Sequence, residues 1–308
     1  MALKMAAIRW GWLGVPHSGL AVLRLGRHRI DHSRPLVMAI VNATPDSFFD
    51  RGATYQLAAA LDRVDEVVAE GADIVDVGGV KAGPGAAVDV DEEVRRVVDL
   101  VEAIRQRHPD LVISVDTWRH EVGELVCLAG ADLLNDAWGG HDPQLARVAA
   151  RHDVALVCAH TGGLPPRTRP HRLSYDRDIV EVVRDDLVGQ AERALAAGVR
   201  RESILIDPAH DFGKNTWHSL AVTNRITALV DTGWPVLVAL SNKDFVGESL
   251  DEPVEGRLMG TLAASAVCAF QGVRIFRAHA IAQTRQVLDM VATIRGDREP
   301  ERVVRGLA

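Results

Sequence analysis

The chain has 308 residues, with 35 Lys plus Arg against 42 Asp plus Glu, a net charge of −7 and 47% hydrophobic residues. That mixture excludes a disordered or collagen-like chain, and the acidic balance with only 5% aromatic residues excludes a nucleic-acid scaffold, which needs a basic face and stacking platforms. The length matches one α/β barrel of roughly 250 residues or two small domains. No apolar run is long enough to span a bilayer, so no membrane partner is expected. The opening MALKMAAIRWGWLGV is broken by Lys4 and Arg9 and does not read as a signal peptide. Cys127, Cys158 and Cys268 stand apart in apolar runs without CxxC spacing, the pattern of buried, inert thiols in a reducing compartment, here the cytoplasm.

Residues 1–34 do not fit the repeat that follows and are read as an N-terminal extension, a short hairpin closing a barrel floor. Residues 35–308 read as a single domain, with no interior linker. Short β-branched runs predict strands at Leu36–Val41, Asp73–Val77, Leu111–Asp116, Asp132–Asn135, Val154–His160, Ser203–Asp207, Val236–Ser241 and Arg274–Arg277. Helical periodicity fills the intervals, for example over Ala58–Glu70, Glu92–Arg107, Ile179–Ala197 and Gly256–Phe270. In the first of these Leu61, Val64, Val67 and Val68 share one face while Asp62, Asp65, Glu66 and Glu70 take the other. Eight strands alternating with helices predict an α/β fold, a (β/α)8 TIM barrel, with a doubly wound open sheet as the alternative. The Pro-, Arg- and Gly-rich stretch 161–176 reads as one long surface loop.

Nearly every predicted strand ends in a polar residue: Asn42, Asp76, Asp116, Asn135-Asp136, His160, Asp207, Ser241-Asn242-Lys243, and Arg277 with His279. Any one of these is explained as a cap on the next helix. Eight together point to a pocket at the C-terminal face of a barrel. Asp116, Asn135 and Asp207 offer acceptors and an amide, and Lys243 a donor, a set suited to a flat heterocycle with several N–H groups and one carbonyl. Arg277, His279 and Asn42 suit an anion or a metal-bound phosphate. No Walker phosphate loop and no GxGxxG after a strand is present, so ATP and NAD have no support.

These residues resemble a known family over about residues 35–295. Asn42-Ala-Thr-Pro-Asp-Ser-Phe48, Asp76-Val-Gly-Gly79, Ser114-Val-Asp-Thr117, Asn135-Asp136, Asp207-Pro208, Phe212-Gly-Lys214, Ser241-Asn-Lys243 and Arg277-Ala-His279 resemble, in order, the signatures of the dihydropteroate synthases. The resemblance implies displacement of diphosphate from 6-hydroxymethyl-7,8-dihydropterin diphosphate by the amine of 4-aminobenzoate. It implies that Asp116, Asn135, Asp207 and Lys243 grip the pterin edge and that Arg277 lies over the ring. It places the diphosphate at Asn42, Arg277 and His279 with Mg2+ at Asn42, and catalysis with Asp50, Lys243 and Arg277. It also implies a homodimer through the late helices, around Gly256–Phe270 and Ile281–Ile294.

The departures gather in the other half of that site. The family's GGESTRPG is Gly78-Gly-Val80-Lys81-Ala82-Gly83-Pro84-Gly85, which removes a hydroxyl pair and the arginine that would partner Asp50. The family's SRKS is Ser241-Asn242-Lys243-Asp244, and its MHMQG is Cys158-Ala-His160-Thr161-Gly162. Asp244 is expected to face the carboxylate of 4-aminobenzoate with like charge, at a cost on the order of 1 kcal/mol or more. The expectation is a dihydropteroate synthase homologue that keeps its pterin pocket and has lost dihydropteroate synthesis. The alternatives are an active synthase whose loops have drifted, a transferase with another acceptor, and a non-catalytic binding protein.

Overall fold

The computed structural model describes residues 22–30, 34–42, 53–168 and 174–304. Strands β1 (Leu23–Leu25) and β2 (His28–Ile30) form an antiparallel hairpin that pairs Leu23 with Ile30 and Leu25 with His28. Its turn needs Gly26, which has φ +54°, and a Cβ there would lie 2.9 Å from Asp132 Oδ1. The strands that follow are β3 (Leu36–Asn42), β4 (Ile74–Gly78), β5 (Val112–Asp116), β6 (Leu133–Asp136), β7 (Ala155–Ala159), β8 (Ile204–Asp207), β9 (Leu237–Ala239) and β10 (Ile275–Ala278). All are parallel, β3 to β8 pair in chain order, and β10 lies between β9 and β3. The ring is completed between β8 and β9 by a bridge of Ile206 to Val236, where Ile206 N donates to Pro235 O at 2.9 Å. This is the eight-stranded barrel, not the open sheet.

Helices α1 (Ala53–Ala69), α2 (Val90–Arg107), α3 (His120–Ala129), α4 (Gln144–His152) and α5 (Ile179–Ala196) form the first part of the outer ring. It continues with α6 (Thr216–Asn224), α7 (Thr227–Val230), α8 (Asp244–Leu250), α9 (Leu258–Phe270) and α10 (Ile281–Arg295). Helix α2 shows why they form. Asp89 caps it by accepting from Glu92 N at 2.8 Å, acids fill its first turn and arginines its last, and Val97, Leu100, Val101 and Ile104 bury one stripe. No described helix is long and apolar enough to cross a membrane.

The period-two alternation of the strands divides the core. Val75, Val77, Ile113, Val115, Leu134 and Phe276 face the helices. Leu36, Met38, Ile74, Val112, Leu133, Leu205 and Ile275 fill the inside of the barrel, where Leu23 and Leu25 of the hairpin pack against them. The next inward position on each strand is polar: Asp76 after Ile74, Ser114 after Val112, Asn135 after Leu133, Asp207 after Leu205, Arg277 after Ile275. The barrel therefore has an apolar floor and a polar mouth on the same inward face. Cys158 and Cys268 are buried and Cys127 half-buried; all three are free thiols, pushed up to about 12 by burial.

Candidate functional site

Asp76 is the centre of the mouth. It is fully buried and accepts from Ser114 Oγ at 2.5 Å, Asn135 Nδ2 at 3.2 Å and Arg277 Nε at 2.6 Å. Arg277 also donates through Nη2 to Asp116 Oδ2 at 3.3 Å. Asp116 and Asn135, expected at the pterin edge, and Arg277, expected over the ring, are thus linked around Asp76, which the sequence marked as a strand end and the start of a family signature but to which it gave no role. Burial pushes the Asp116 carboxyl up to about 7; Arg277 pulls it back and the neighbouring Asp76 and Glu93 push it further. Burial works against the Arg277 charge, but Asp76 and Asp116 outweigh it and hold the guanidinium above its ordinary value.

Asp207 closes β8 on the opposite wall. It is buried, its Oδ1 accepts from Ala209 N at 2.7 Å, and burial raises its carboxyl against the pull of Lys243, Lys214 and Arg277. Lys243 lies with Nζ 4.5 Å from the centre of the Phe212 ring, and burial lowers its ammonium while Asp211 and Asp207 oppose that shift. His279 stands at the rim, where its backbone N–H donates to Ser241 Oγ at 3.2 Å; partial desolvation, then Arg277 and Lys243, hold its imidazole low. Asn42 is exposed at the end of β3, in register with Gly78. Asp50 lies outside the described residues.

Lys214 had no role assigned from the sequence. It is buried, with Nζ 2.8 Å from His160 Nδ1 and donating to the carbonyls of Phe212 at 2.9 Å, His160 at 3.1 Å and Ala209 at 3.3 Å. Burial takes its ammonium down to about 7, and burial with the nearby Lys214 takes His160 down to about 3, so the imidazole is neutral and Nδ1 accepts. The lysine ties the end of β7 to the loop after β8. Its signal in the sequence is a lone lysine after Phe-Gly, beside left-handed Asp211 and Gly213.

The substituted half of the mouth is built differently from the sequence expectation. The 79–89 loop is held by three guanidiniums on its backbone: Arg96 Nη1 donates to Gly79 O at 2.9 Å, Arg167 Nη1 to Ala86 O at 2.6 Å and Arg119 Nη2 to Val88 O at 2.7 Å. Val80 is buried while Lys81 and Ala82 are exposed. Asp244, the first residue of α8, does not direct a bare negative charge at the mouth. Its side chain is 77% exposed and pairs with Arg257 Nη1 at 2.9 Å. The same Arg257 Nη1 donates to Asn242 O at 2.8 Å, and Asn242 has φ +58°. The Asp244 backbone N–H, at the start of the helix, donates to Asp211 Oδ2 at 2.6 Å. A cleft of about 240 Å³ lies here, lined by Asp211, Lys214, Trp217, Asp244 and Glu248 among others. One of the chain's own carboxylates thus already sits on this helix start.

The sequence profile of pterin binding enzymes matches residues 38–279. The chain belongs to that family. It is 59% identical over 278 residues to inactive dihydropteroate synthase 2 of Mycobacterium tuberculosis (strain CDC 1551 / Oshkosh), covering 89% of this chain and 87% of that one. It is 37% identical over 283 residues to the dihydropteroate synthase of Bacillus subtilis, covering 87% of this chain and 96% of that one. Its fold matches dihydropteroate synthase from Thermus thermophilus in complex with 4-aminobenzoate, with a TM-score of 0.78 and 36% identity over 89% of this chain and all of that one. The barrel mouth just described is therefore the mouth of a pterin-binding enzyme fold.

Proposed function

We propose that this protein is a dihydropteroate synthase homologue that binds a pterin at the barrel mouth and does not make dihydropteroate. The observation that carries the reading is the contrast between the two halves of the mouth. Asp116, Asn135, Asp207, Lys243 and Arg277 line one half, where the buried Asp76 holds Asn135 and Arg277. In the other half the Asp211 carboxylate occupies the amide at the start of α8, in a cleft that also holds Asp244 and Glu248. An incoming aryl carboxylate finds that donor taken and acids around it, so an anionic second substrate is disfavoured. The mycobacterial relative at 59% identity carries the name of an inactive synthase, in line with this reading.

The retained residues suit the chemistry of the first substrate. Asp116 and Asp207 accept from ring N–H groups, Asn135 and Lys243 meet the ring's acceptors, and Arg277 with His279 faces the diphosphate. Mg2+ takes oxygen ligands and is commonly held by few protein groups together with substrate phosphates. Asn42 offers one neutral oxygen at the rim, which fits an ion held chiefly by the diphosphate, and Mg2+ there would neutralise charge on the leaving group. Asp50, Lys243 and Arg277 remain the groups proposed for any transfer step. A second reading, transfer to a different acceptor, is favoured by the cleft in which Asp211, Asp244 and Glu248 outnumber Lys214 beside the exposed Trp217, which suits an acceptor that attacks through a neutral amine and carries a positive charge elsewhere.

Two further parts of the reading concern assembly and location. Met259, Val267 and Phe270 on α9 and Met290 and Ile294 on α10 are exposed apolar side chains, suited to a homodimer seam along these helices. The free thiols suit the cytoplasm. Calorimetry with the pterin diphosphate and Mg2+, alone and then with 4-aminobenzoate, tests the function. The expected result is saturable pterin binding, no heat from 4-aminobenzoate and no dihydropteroate. Absence of pterin binding refutes the retained pocket, and product formation refutes the loss of activity.

A further inference from the structure

Strands β6 and β7 carry a second cavity on their outer side, away from the barrel mouth. It has a volume of about 490 Å³ and lies between α4 and α5. Its floor is formed by Asp136, Leu156 and Cys158, the outward neighbours of residues that face the barrel interior. Helix α4 presents Ala146 and Arg147 to it. Helix α5 and its C-terminal cap present Gln190, Arg193, Ala194 and Ala197, spaced i, i+3, i+4 and i+7 on one face. The alanines leave the space that larger side chains would fill. The volume lies within the range of about 300–1,000 Å³ usual for small-molecule sites.

The charges at this groove are unevenly satisfied. Of the four arginines on α4 and α5, two are committed: Arg151 pairs with Glu124 and Arg184 with Asp185. Arg147 and Arg193 are exposed at the groove, and neither forms an ion pair with a described residue. Asp142 also lines the groove, where its carboxylate is engaged by His120 Nδ1 at 2.6 Å and Gln144 N at 3.0 Å. At the base Asp136 is 5% exposed, with its two oxygens accepting from Trp138 N at 3.0 Å and Gly140 N at 2.9 Å. Burial pushes its carboxyl up to about 7, so near neutrality it presents a group that is half protonated.

We propose that this groove is a second binding site, for a small molecule with an anionic head and an apolar body. The head, a carboxylate or a phosphate ester, lies between the Arg147 and Arg193 guanidiniums, whose planar forks match either oxyanion. The body lies along Ala146, Ala194 and Ala197 toward Leu156. Because Asp136 directly follows Asn135 on β6, an occupant here touches the outer side of a strand whose inner side forms the barrel mouth.

The test uses the full-length protein and two probes, phenyl phosphate and phenylacetate, titrated by calorimetry and by ligand-detected NMR. Inorganic phosphate is the control for simple charge attraction. Two variants separate the causes: Arg147→Ala with Arg193→Ala removes both cations, and Ala146→Leu fills the groove while keeping them. Melting temperature and circular dichroism establish that each variant is folded. Saturable binding of at least one probe is expected, weakened tenfold or more in both variants. Binding of phenyl phosphate alone assigns a phosphate ester, and of phenylacetate alone a carboxylate. No saturable binding to the folded wild type, equal binding to all three proteins, or inorganic phosphate binding as tightly as the probes would each overturn the proposal. Pterin binding is measured on the same samples and stands or falls separately, since neither variant alters a residue of the barrel mouth.

Discussion

At the scale of single residues, the mouth depends on a buried ion pair whose partners lie 201 positions apart in the chain. Asp76→Ala removes the acceptor shared by Ser114, Asn135 and Arg277 and leaves a largely buried guanidinium with only the longer contact to Asp116. The expected loss is about 3–5 kcal/mol, read from urea unfolding, because an uncompensated buried charge costs more than the pair itself contributes. Asp116 makes a second prediction. Its folded value of about 7 lies above the ordinary carboxylate range, so it is largely protonated at pH 6 and largely ionised at pH 8. Only the ionised form accepts two ring N–H bonds, so pterin affinity should be about tenfold stronger at pH 8 than at pH 6, and Asp116→Asn should flatten that dependence. The stability effect has the opposite sign. A raised carboxyl favours the fold below its unfolded value and loses that contribution as pH rises through about 7, so Asp116→Asn should gain stability relative to wild type between pH 5 and pH 8. An affinity independent of pH would show that Asp116 does not face the ligand. Asp116, Asn135, Asp207 and Arg277 were legible in the sequence because each ends a strand in a polar letter. The role of Asp76 was not, because it depends on three strands being brought into register around it.

At the scale of elements, the strand pattern was legible to within a residue or two for most of the barrel, since each strand has an outer β-branched face for the helices and an inner face for the core. Helix α1 begins at Ala53, before the expected Ala58, and β9 is confined to Leu237–Ala239 within the expected Val236–Ser241. Periodicity places the centre of an element better than its ends, where backbone bonding decides. The holding of the 79–89 loop was not legible, because its three arginines bond main-chain carbonyls, which carry no residue identity. Arg167 belongs to the 161–176 stretch expected to be a surface loop, of which residues 169–173 lie outside the described residues; the described part carries this anchor. The 79–89 loop is therefore expected to be ordered without ligand. In Arg167→Ala, amide exchange over residues 82–88 should quicken by about tenfold, which corresponds to about 1.4 kcal/mol of local opening, with little change in global melting. Unchanged exchange would mean that Arg96 and Arg119 hold the loop on their own.

At the scale of the whole molecule, a floor plugged by the β1–β2 hairpin and a closed ring of strands leave the mouth as the part of the barrel free to diverge, and the function proposed above rests on one half of it having done so. Recovery of synthesis is therefore a matter of the loops and not of the barrel. The full replacement restores Val80→Glu, Lys81→Ser, Ala82→Thr and Gly83→Arg in the second loop, with Asp244→Ser at the start of α8. The loop change alone should yield no product. Val80 is buried, so a glutamate there must leave its present seat, while the helix start would still be flanked by Asp244 and capped by Asp211. Adding Asp244→Ser removes a carboxylate and frees the Arg257 guanidinium it now pairs, giving an incoming 4-aminobenzoate a cation in place of an acid. Dihydropteroate formation should then become measurable, at a rate held down by Asp211 on the helix amide, by following product from the pterin diphosphate and 4-aminobenzoate. The further change Asn242→Arg should not help, since residue 242 has φ +58°, where asparagine is tolerated and arginine is strained by about 1 kcal/mol or more. Its expected effect is a lower melting temperature. Turnover by the unaltered protein in the ordinary range of about 1–1,000 per second would refute the loss of activity. If the loop and Asp244→Ser variants combined remain silent while still binding pterin, Asp211 on the helix amide becomes the obstacle to remove, and Asp211→Asn in that background, which keeps an acceptor there but deletes the charge, separates the hydrogen bond from the field.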